Sequence, residues 1–176
     1  MQNKNYKTIA FLFGLAALMA GCDRQNESIS VAPELSPITT ADTGHVCGMT
    51  IKNFPGPKAQ AFIRHSEVPL KFCSTTDLFS WLLQPDTPAV LRAAYVHDMG
   101  AAEASWDNPS DKHYIPAKLA LYVINHDLPA AMGPTLASFK EEQAAHDFIR
   151  KHGGKIVRYK DINLELLSGM VLSHSD

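Results

Sequence analysis

The sequence predicts an α+β fold of two consecutive ββαβ units, which follow a signal peptide and a flexible tether. The order strand, strand, helix, strand occurs twice between residues 60 and 159, and the residues before 44 lack such a pattern. A hydrophobic fraction of 45% is ordinary for a globular domain. The formal net charge of −2 argues against a nucleic-acid-binding protein, which would be clearly basic. We expect the first unit at residues 44–100, the second at 101–170 and a tail at 171–176.

The N-terminus has the pattern of a lipoprotein signal peptide. Lys4 and Lys7 precede a short apolar run, and two small residues stand directly before Cys22. A basic start, an apolar run too short to span a bilayer comfortably and small residues before a cleavage point indicate a signal peptide over residues 1–21. The sequence at Cys22 resembles a bacterial lipobox, so we expect this cysteine to be lipidated. The alternative is a soluble secreted protein with an accidental cysteine.

The segment at residues 22–43 is predicted to be a flexible tether. It is rich in Ser, Thr, Pro and Asn and has few large apolar side chains. Such a composition buries too little surface to offset the entropy lost on ordering. We therefore expect the folded part to begin near His45 and to sit, lipid-anchored, on the periplasmic face of a bacterial membrane. The pattern is compatible with an anchor in either the inner or the outer membrane.

The first unit is predicted from strand-like and helix-like patterns in sequence order. Residues 60–64 and 70–74 are short apolar stretches typical of strands, and residues 93–96 form another. Between them, residues 77–83 have the pattern of an amphipathic helix capped by Thr75 or Thr76.

The second unit repeats this order. Residues 119–124 and 135–139 are predicted strands, and residues 141–151 are a predicted helix that the glycine pair at 153–154 ends. Residues 155–159 close the unit as a strand. The repeat is one of element order, with little identity of residues.

A short motif, Cys47-Gly48-Met49, carries soft metal ligands. In an extended segment residues i and i+2 face the same side, which would bring Cys47 and Met49 together and place His45 on the same face. A thiolate and a thioether suit Cu(I) and are wrong for Mg²⁺ or Ca²⁺. The alternative is that the cysteine and methionine fill a gap in the core.

A second candidate is Met132, which lies between turn-forming residues in the segment 127–134. Loops on a rigid scaffold often position functional groups, so a methionine there could be a ligand. The alternative is a hydrophobic anchor that holds the loop to the core.

Several motifs together resemble the NosL family, the accessory copper-chaperone lipoproteins of nitrous oxide reductase. They are Cys22, Cys47-Gly48-Met49, Phe72 followed by Ser74, Asp77-Leu78-Phe79, Ala131-Met132-Gly133, Phe139 and Gly153-Gly154. The resemblance implies two ββαβ units related to the fold of the organomercurial lyase MerB. It also implies Cu(I) binding through Cys47, Met49 and Met132. The implied partners are proteins that donate or receive copper during nitrous oxide reductase assembly in denitrification.

Four further residues are candidates for additional metal ligands: His45, Cys73, His113 and His126. Cys73 has three interpretations, namely a ligand, a buried thiol or the disulfide partner of Cys47. Each histidine could also be a surface or structural residue.

The alternative function is an enzyme. A MerB-like lyase, or another thiol enzyme, would use Cys47 and Cys73 with an acid such as Asp77 or Asp98. The chain has no Cys-x-x-Cys motif, phosphate loop or Ser-His-Asp order. Lipidation and export also argue against a lyase whose product needs cytosolic reduction. We therefore predict a non-enzymatic copper-binding protein.

Overall fold

The computed structural model describes residues 33–172. The predicted signal peptide, the lipidation site Cys22, residues 22–32 of the predicted tether and residues 173–176 of the predicted tail lie outside the described residues. No helix within residues 33–172 is long and apolar enough to cross a membrane.

The described chain contains the predicted strands and helices in order, together with the helices Thr87–Val90 and Leu164–Leu172 and the strand Tyr114–Pro116, which the sequence did not predict. The first set of elements is β1 (Ala59–Ile63), β2 (Leu70–Phe72), α1 (Thr75–Leu82), α2 (Thr87–Val90), β3 (Leu91–His97) and β4 (Tyr114–Pro116). The second set is β5 (Leu121–Ile124), β6 (Ala137–Phe139), α3 (Glu142–His152), β7 (Lys155–Arg158) and α4 (Leu164–Leu172). Short 3₁₀ helices lie at Ile51–Asn53, Ala117–Leu119 and Tyr159–Asp161.

The strands form two antiparallel sheets with the orders β2-β1-β3-β4 and β6-β5-β7. The predicted double ββαβ order is confirmed, since β1-β2-α1-β3 and β5-β6-α3-β7 each contribute one sheet. One strand crosses the expected boundary: β4 lies within residues 101–170, yet it pairs with β3 of the first sheet.

Helix α1 begins at Thr75, two residues before the predicted start at residue 77. The side chain of Ser74, and not that of Thr75 or Thr76, accepts the capping hydrogen bond from the Asp77 amide, at 3.0 Å. Thr75 Oγ1 instead donates to the Leu136 carbonyl oxygen at 2.6 Å, which ties α1 to the second unit. The cap matters for the site because it fixes Asp77 in the first turn.

The two units share one apolar core. Phe72 and Phe79 of the first unit pack in the same buried cluster as Tyr122 and Leu136 of the second. Tyr122 is fully buried, and its hydroxyl donates to the Ala117 carbonyl oxygen at 2.7 Å. Because the core is continuous, the units are parts of one domain and hold loops from both halves in fixed positions.

Residues 33–43 differ from the expected flexible tether. Ser36 exchanges two hydrogen bonds with the side chain of Gln60, at 3.2 and 2.7 Å, and Ile38 is buried. The Ile38 amide donates to the Asp111 carboxylate at 3.0 Å. The prediction that the fold begins near His45 is therefore wrong, because specific side-chain partners far along the chain order this segment.

Candidate metal site

The segment from Thr43 to Thr50 folds back on itself. Thr43 and Thr50 form an antiparallel bridge, and the Gly44 amide donates to the Met49 carbonyl oxygen at 2.9 Å. Inside this loop the Gly48 amide donates to the Gly44 carbonyl oxygen at 2.8 Å, with Gly48 at a φ of 69°. A positive φ suits glycine, which explains its place in the motif. The expectation of an extended segment is wrong.

His45 consequently does not share a face with the thiol. Its ring makes edge contacts with Phe72 at 5.8 Å and with Trp81 at 6.0 Å between ring centroids. The turn, rather than strand alternation, directs the side chains here, so His45 lies outside the cluster of ligand atoms described next.

Three side chains from three parts of the fold meet at this loop. They are Cys47 of the loop, Cys73 directly after β2 and Asp77 in the first turn of α1. The sulfur and carboxylate atoms all lie within 4.8 Å of one another. Cys47 Sγ and Cys73 Sγ are 2.6 Å apart, and both residues are free cysteines. Two thiols and one carboxylate at this spacing could hold a metal ion.

Asp77 is a buried carboxylate that has, within residues 33–172, one oxygen atom free to accept a hydrogen bond or to bind a metal ion. It is 8% exposed, and its Oδ2 atom has no hydrogen-bond partner in the described part of the chain. Burial raises the pKa of Asp77 above its ordinary value. Hydrogen bonds from Cys47 and Ser74 and the charge of Lys58 lower this pKa, but by less than burial raises it. An unpartnered buried acceptor beside two thiols is unfavourable by itself, and a metal ion or a proton would relieve it.

Cys73 is the more deeply buried of the two thiols. It is fully buried, and its Sγ lies 3.6 Å from the Met49 carbonyl oxygen as a hydrogen-bond donor. Burial, followed by the contact with Cys47, raises the pKa of Cys73 to about 12. The thiol is therefore protonated at neutral pH, and a metal ion bound to it would have to displace the proton.

Gly44 closes the cluster on one side. A Cβ at this position would lie 2.5 Å from Cys47 Sγ and 2.5 Å from Cys73 Sγ. The backbone therefore approaches both sulfur atoms more closely than any residue with a side chain would allow.

The two methionines have different environments. Met49 is partly buried and packs, like Cys47, against a small cluster that contains Ile51 and Ala131. Met132 is 72% exposed and has a φ of 60°. It is not the hydrophobic anchor of its loop; that role belongs to its buried neighbour Ala131. The loop thus reaches the thiol cluster through Ala131, with Met132 at the surface next to it.

Lys58 is a site residue that the sequence analysis missed. It is 4% exposed, and it stands beside Cys73, because β1 and β2 pair Ala59 with Phe72, and Lys58 and Cys73 are the next residues on each strand. Burial lowers the pKa of Lys58 to about 8. The available signal was weak, because lysines are almost never fully buried and this one stands beside prolines at the start of a strand.

The other histidine candidates lie outside the cluster. His126 is buried and makes edge contacts with the rings of Trp106 and Phe148. The amide and carbonyl of His113 take part in backbone hydrogen bonds that hold the loop before β4. Cys73 is the additional candidate that the fold brings to Cys47.

The shared core and the buried cluster of thiols and carboxylate define a small α+β domain able to hold a soft metal ion. Comparison with known proteins is more specific. The family model NosL matches residues 35–167, and the chain belongs to this family. The predicted family membership is thereby confirmed.

Named relatives agree with this assignment. A copper-binding lipoprotein NosL of Stutzerimonas stutzeri is 42% identical over 155 residues, covering 87% of this chain and 78% of the relative. A copper-binding lipoprotein NosL of Achromobacter cycloclastes is 35% identical over 147 residues, with coverages of 83% and 75%. These names describe binding proteins, which confirms the prediction of a non-enzymatic protein.

A solved structure also matches. The crystal structure of the copper chaperone NosL from Shewanella denitrificans superimposes with a TM-score of 0.72 at 38% sequence identity, covering 77% of this chain and 99% of that one. The predicted fold class is confirmed by this match.

Proposed function

We propose that this protein is a membrane-tethered periplasmic chaperone that binds Cu(I) and delivers it for the maturation of nitrous oxide reductase. The observation that carries the proposal is the buried cluster of two thiols and one carboxylate, closed by a glycine and bordered by Met49. The printed names of the relatives, copper-binding lipoprotein and copper chaperone, support copper as the cargo.

Cys47 is the central ligand in this proposal. Its thiol is less buried than that of Cys73 and touches both Cys73 and Asp77. On loading, Cys47 and Cys73 release protons and hold Cu(I) as thiolates. Soft thiolate and thioether ligands select Cu(I), whereas the single carboxylate is a poor ligand for it. Asp77 therefore accepts hydrogen bonds or protons at the edge of the site.

The methionines supply the exchangeable ligands. Met49 packs against the same apolar cluster as Cys47, and Met132 is exposed on the loop whose Ala131 packs into that cluster. A thioether is neutral and binds Cu(I) more weakly than a thiolate does, so it is readily replaced by a ligand of the receiving protein. An exposed Met132 would make the first contact in such a ligand exchange.

The anchor keeps the carrier at the membrane where its partners meet it. A lipidated Cys22 with several acyl chains would hold the protein stably, which one chain would not do. The partners in this proposal are the copper donors and acceptors of the nitrous oxide reductase assembly system.

Delivery is tested in a denitrifying bacterium that lacks its own NosL-family gene. The wild-type chain should restore copper in nitrous oxide reductase and the reduction of nitrous oxide. Cys47→Ser should not restore either, although its protein level stays normal. Ser80→Ala, in the same helix as Asp77 but outside the cluster, is the matched control and should behave as wild type. Full restoration by Cys47→Ser would contradict the proposal.

A further inference from the structure

Lys58 carries a charge in a place where a charge is costly. It stands one residue before β1 and is 4% exposed. Its Nζ donates to the carbonyl oxygens of Phe54 at 2.8 Å and Pro55 at 2.7 Å. No carboxylate among residues 33–172 forms an ion pair with it at 4.0 Å or less. A buried ammonium without a paired anion is unfavourable unless nearby charge compensates it.

The compensating groups belong to the metal site. Strands β1 and β2 pair Ala59 with Phe72 in antiparallel register, so Lys58 and Cys73, the next residues on the two strands, stand side by side. Negative charge on Cys73, Asp77 or Cys47 favours the charged form of Lys58. The backbone of Lys58 is fixed as well: its amide donates to His97 Nδ1 at 3.2 Å, and its carbonyl oxygen accepts from the His97 amide at 3.0 Å. Both the backbone and the ammonium of Lys58 are therefore held in place beside the strand end that carries Cys73.

The charge of the loaded site depends on the metal ion. When two thiols lose their protons and bind Cu(I), the two thiolates and the ion together carry one negative charge. With Zn(II) the same group is neutral. Asp77 contributes the same charge in both cases, so a fixed ammonium nearby favours the Cu(I) complex by one unit of charge, and in a buried environment this difference is larger than in water.

We propose that Lys58 is a specificity-determining residue, a buried counter-charge that favours monovalent copper over divalent metal ions at the Cys47–Cys73 site. The inference rests on the proposed Cu(I) function and assigns its selectivity to a residue outside the group of candidate ligands. Lys58 acts through the field it creates at the sulfur atoms, and its own position is held by His97.

The test compares Lys58→Met with Lys52→Met in the reduced, mature full chain under anaerobic conditions. Lys52 is an exposed lysine in the 3₁₀ helix Ile51–Asn53, so its replacement removes the same charge from the surface. Competition with chromophoric chelators measures the dissociation constants for Cu(I) and for Zn(II). Lys58→Met should weaken Cu(I) binding by about tenfold or more, which is about 1.4 kcal/mol, and change Zn(II) binding by less than about threefold. Lys52→Met should change both by less than about twofold.

Each other outcome has a defined meaning. If Lys58→Met weakened the binding of Cu(I) and of Zn(II) equally, the residue would have a merely structural role and the inference would be overturned. Unchanged binding of both ions would overturn it as well. If Lys58→Met does not fold by circular dichroism, Lys58→Arg carries the test, because it keeps the charge. It should keep the ratio of the two dissociation constants within about threefold of wild type; a collapse of that ratio overturns the inference. A wild-type chain that retains no Cu(I) would instead contradict the proposed function itself.

Discussion

Replacement of Gly44 by alanine perturbs the closed side of the thiol cluster. The new Cβ would lie 2.5 Å from Cys47 Sγ and from Cys73 Sγ, with the Cys73 amide nitrogen at 3.4 Å. Real Cβ atoms essentially never show contacts below 3.0 Å, so the sulfur atoms must move apart or the loop must shift. Overpacking of this kind typically costs about 1–3 kcal/mol of unfolding free energy. At about 2–4 °C per kcal/mol, Tm should fall by roughly 2–12 °C.

Gly44→Ala should also weaken Cu(I) binding, because the displaced sulfur atoms no longer converge on one point. Thermal melts followed by circular dichroism and chelator competition on the reduced protein measure the two effects. Gly169→Ala is the control: Gly169 lies in α4, its Cβ would meet nothing within 4 Å, and alanine favours helix by up to about 1 kcal/mol. A Gly44→Ala protein that melts and binds Cu(I) like the wild type would refute the close approach of backbone to sulfur.

Three further predictions concern the exposed Met132, the lipid anchor at Cys22 and the buried His97. Met132→Leu should leave Tm within about 1 °C of wild type, because the side chain is 72% exposed, and should weaken Cu(I) in chelator competition because leucine has no sulfur. Cys22→Ser should move the protein from the membrane to the soluble fraction on centrifugation without changing its Cu(I) affinity; an unchanged membrane pellet would contradict lipidation. Burial lowers the pKa of His97 below its value of about 6.5 in the unfolded chain. The unfolded state therefore takes up the proton first, and stability falls as the pH drops below about 6.5. His97→Gln should flatten this loss between about pH 7 and about pH 5 in urea titrations. An equally steep loss would show that other groups cause it.

Local patterns predicted most of the secondary structure. The helix over Glu142–His152 and the strand over Leu121–Ile124 lie within two residues of their expected limits. Both have a strong signal of their own, one from a glycine stop and the other from a continuous apolar run. Strand β4 was missed because three residues that include Pro116 give little strand signal and depend on pairing with β3.

The site was predicted only in part. Cys47 and Met49 are neighbours in a motif, but Cys73 stands 26 residues from Cys47 and meets it through tertiary folding. The segment around this motif was expected to be extended, with alternating side chains. It instead forms a turn, because the Gly48 amide donates a hydrogen bond to the Gly44 carbonyl oxygen. Lys58 could not be recognised, since its burial depends on carbonyl oxygens that only the folded loop presents.

Copper K-edge X-ray absorption of the anaerobically loaded, reduced mature chain tests the central claim most directly. Wild type should retain one Cu(I) per chain in a shell of sulfur ligands alone, and Cys73→Ser should lose one sulfur from that shell while remaining folded. Cys47→Ser should lose the bound copper in competition with a chromophoric chelator. A shell of nitrogen and oxygen ligands in the wild type, or an unchanged sulfur shell in both cysteine variants, would contradict a Cu(I) site built on Cys47 and Cys73.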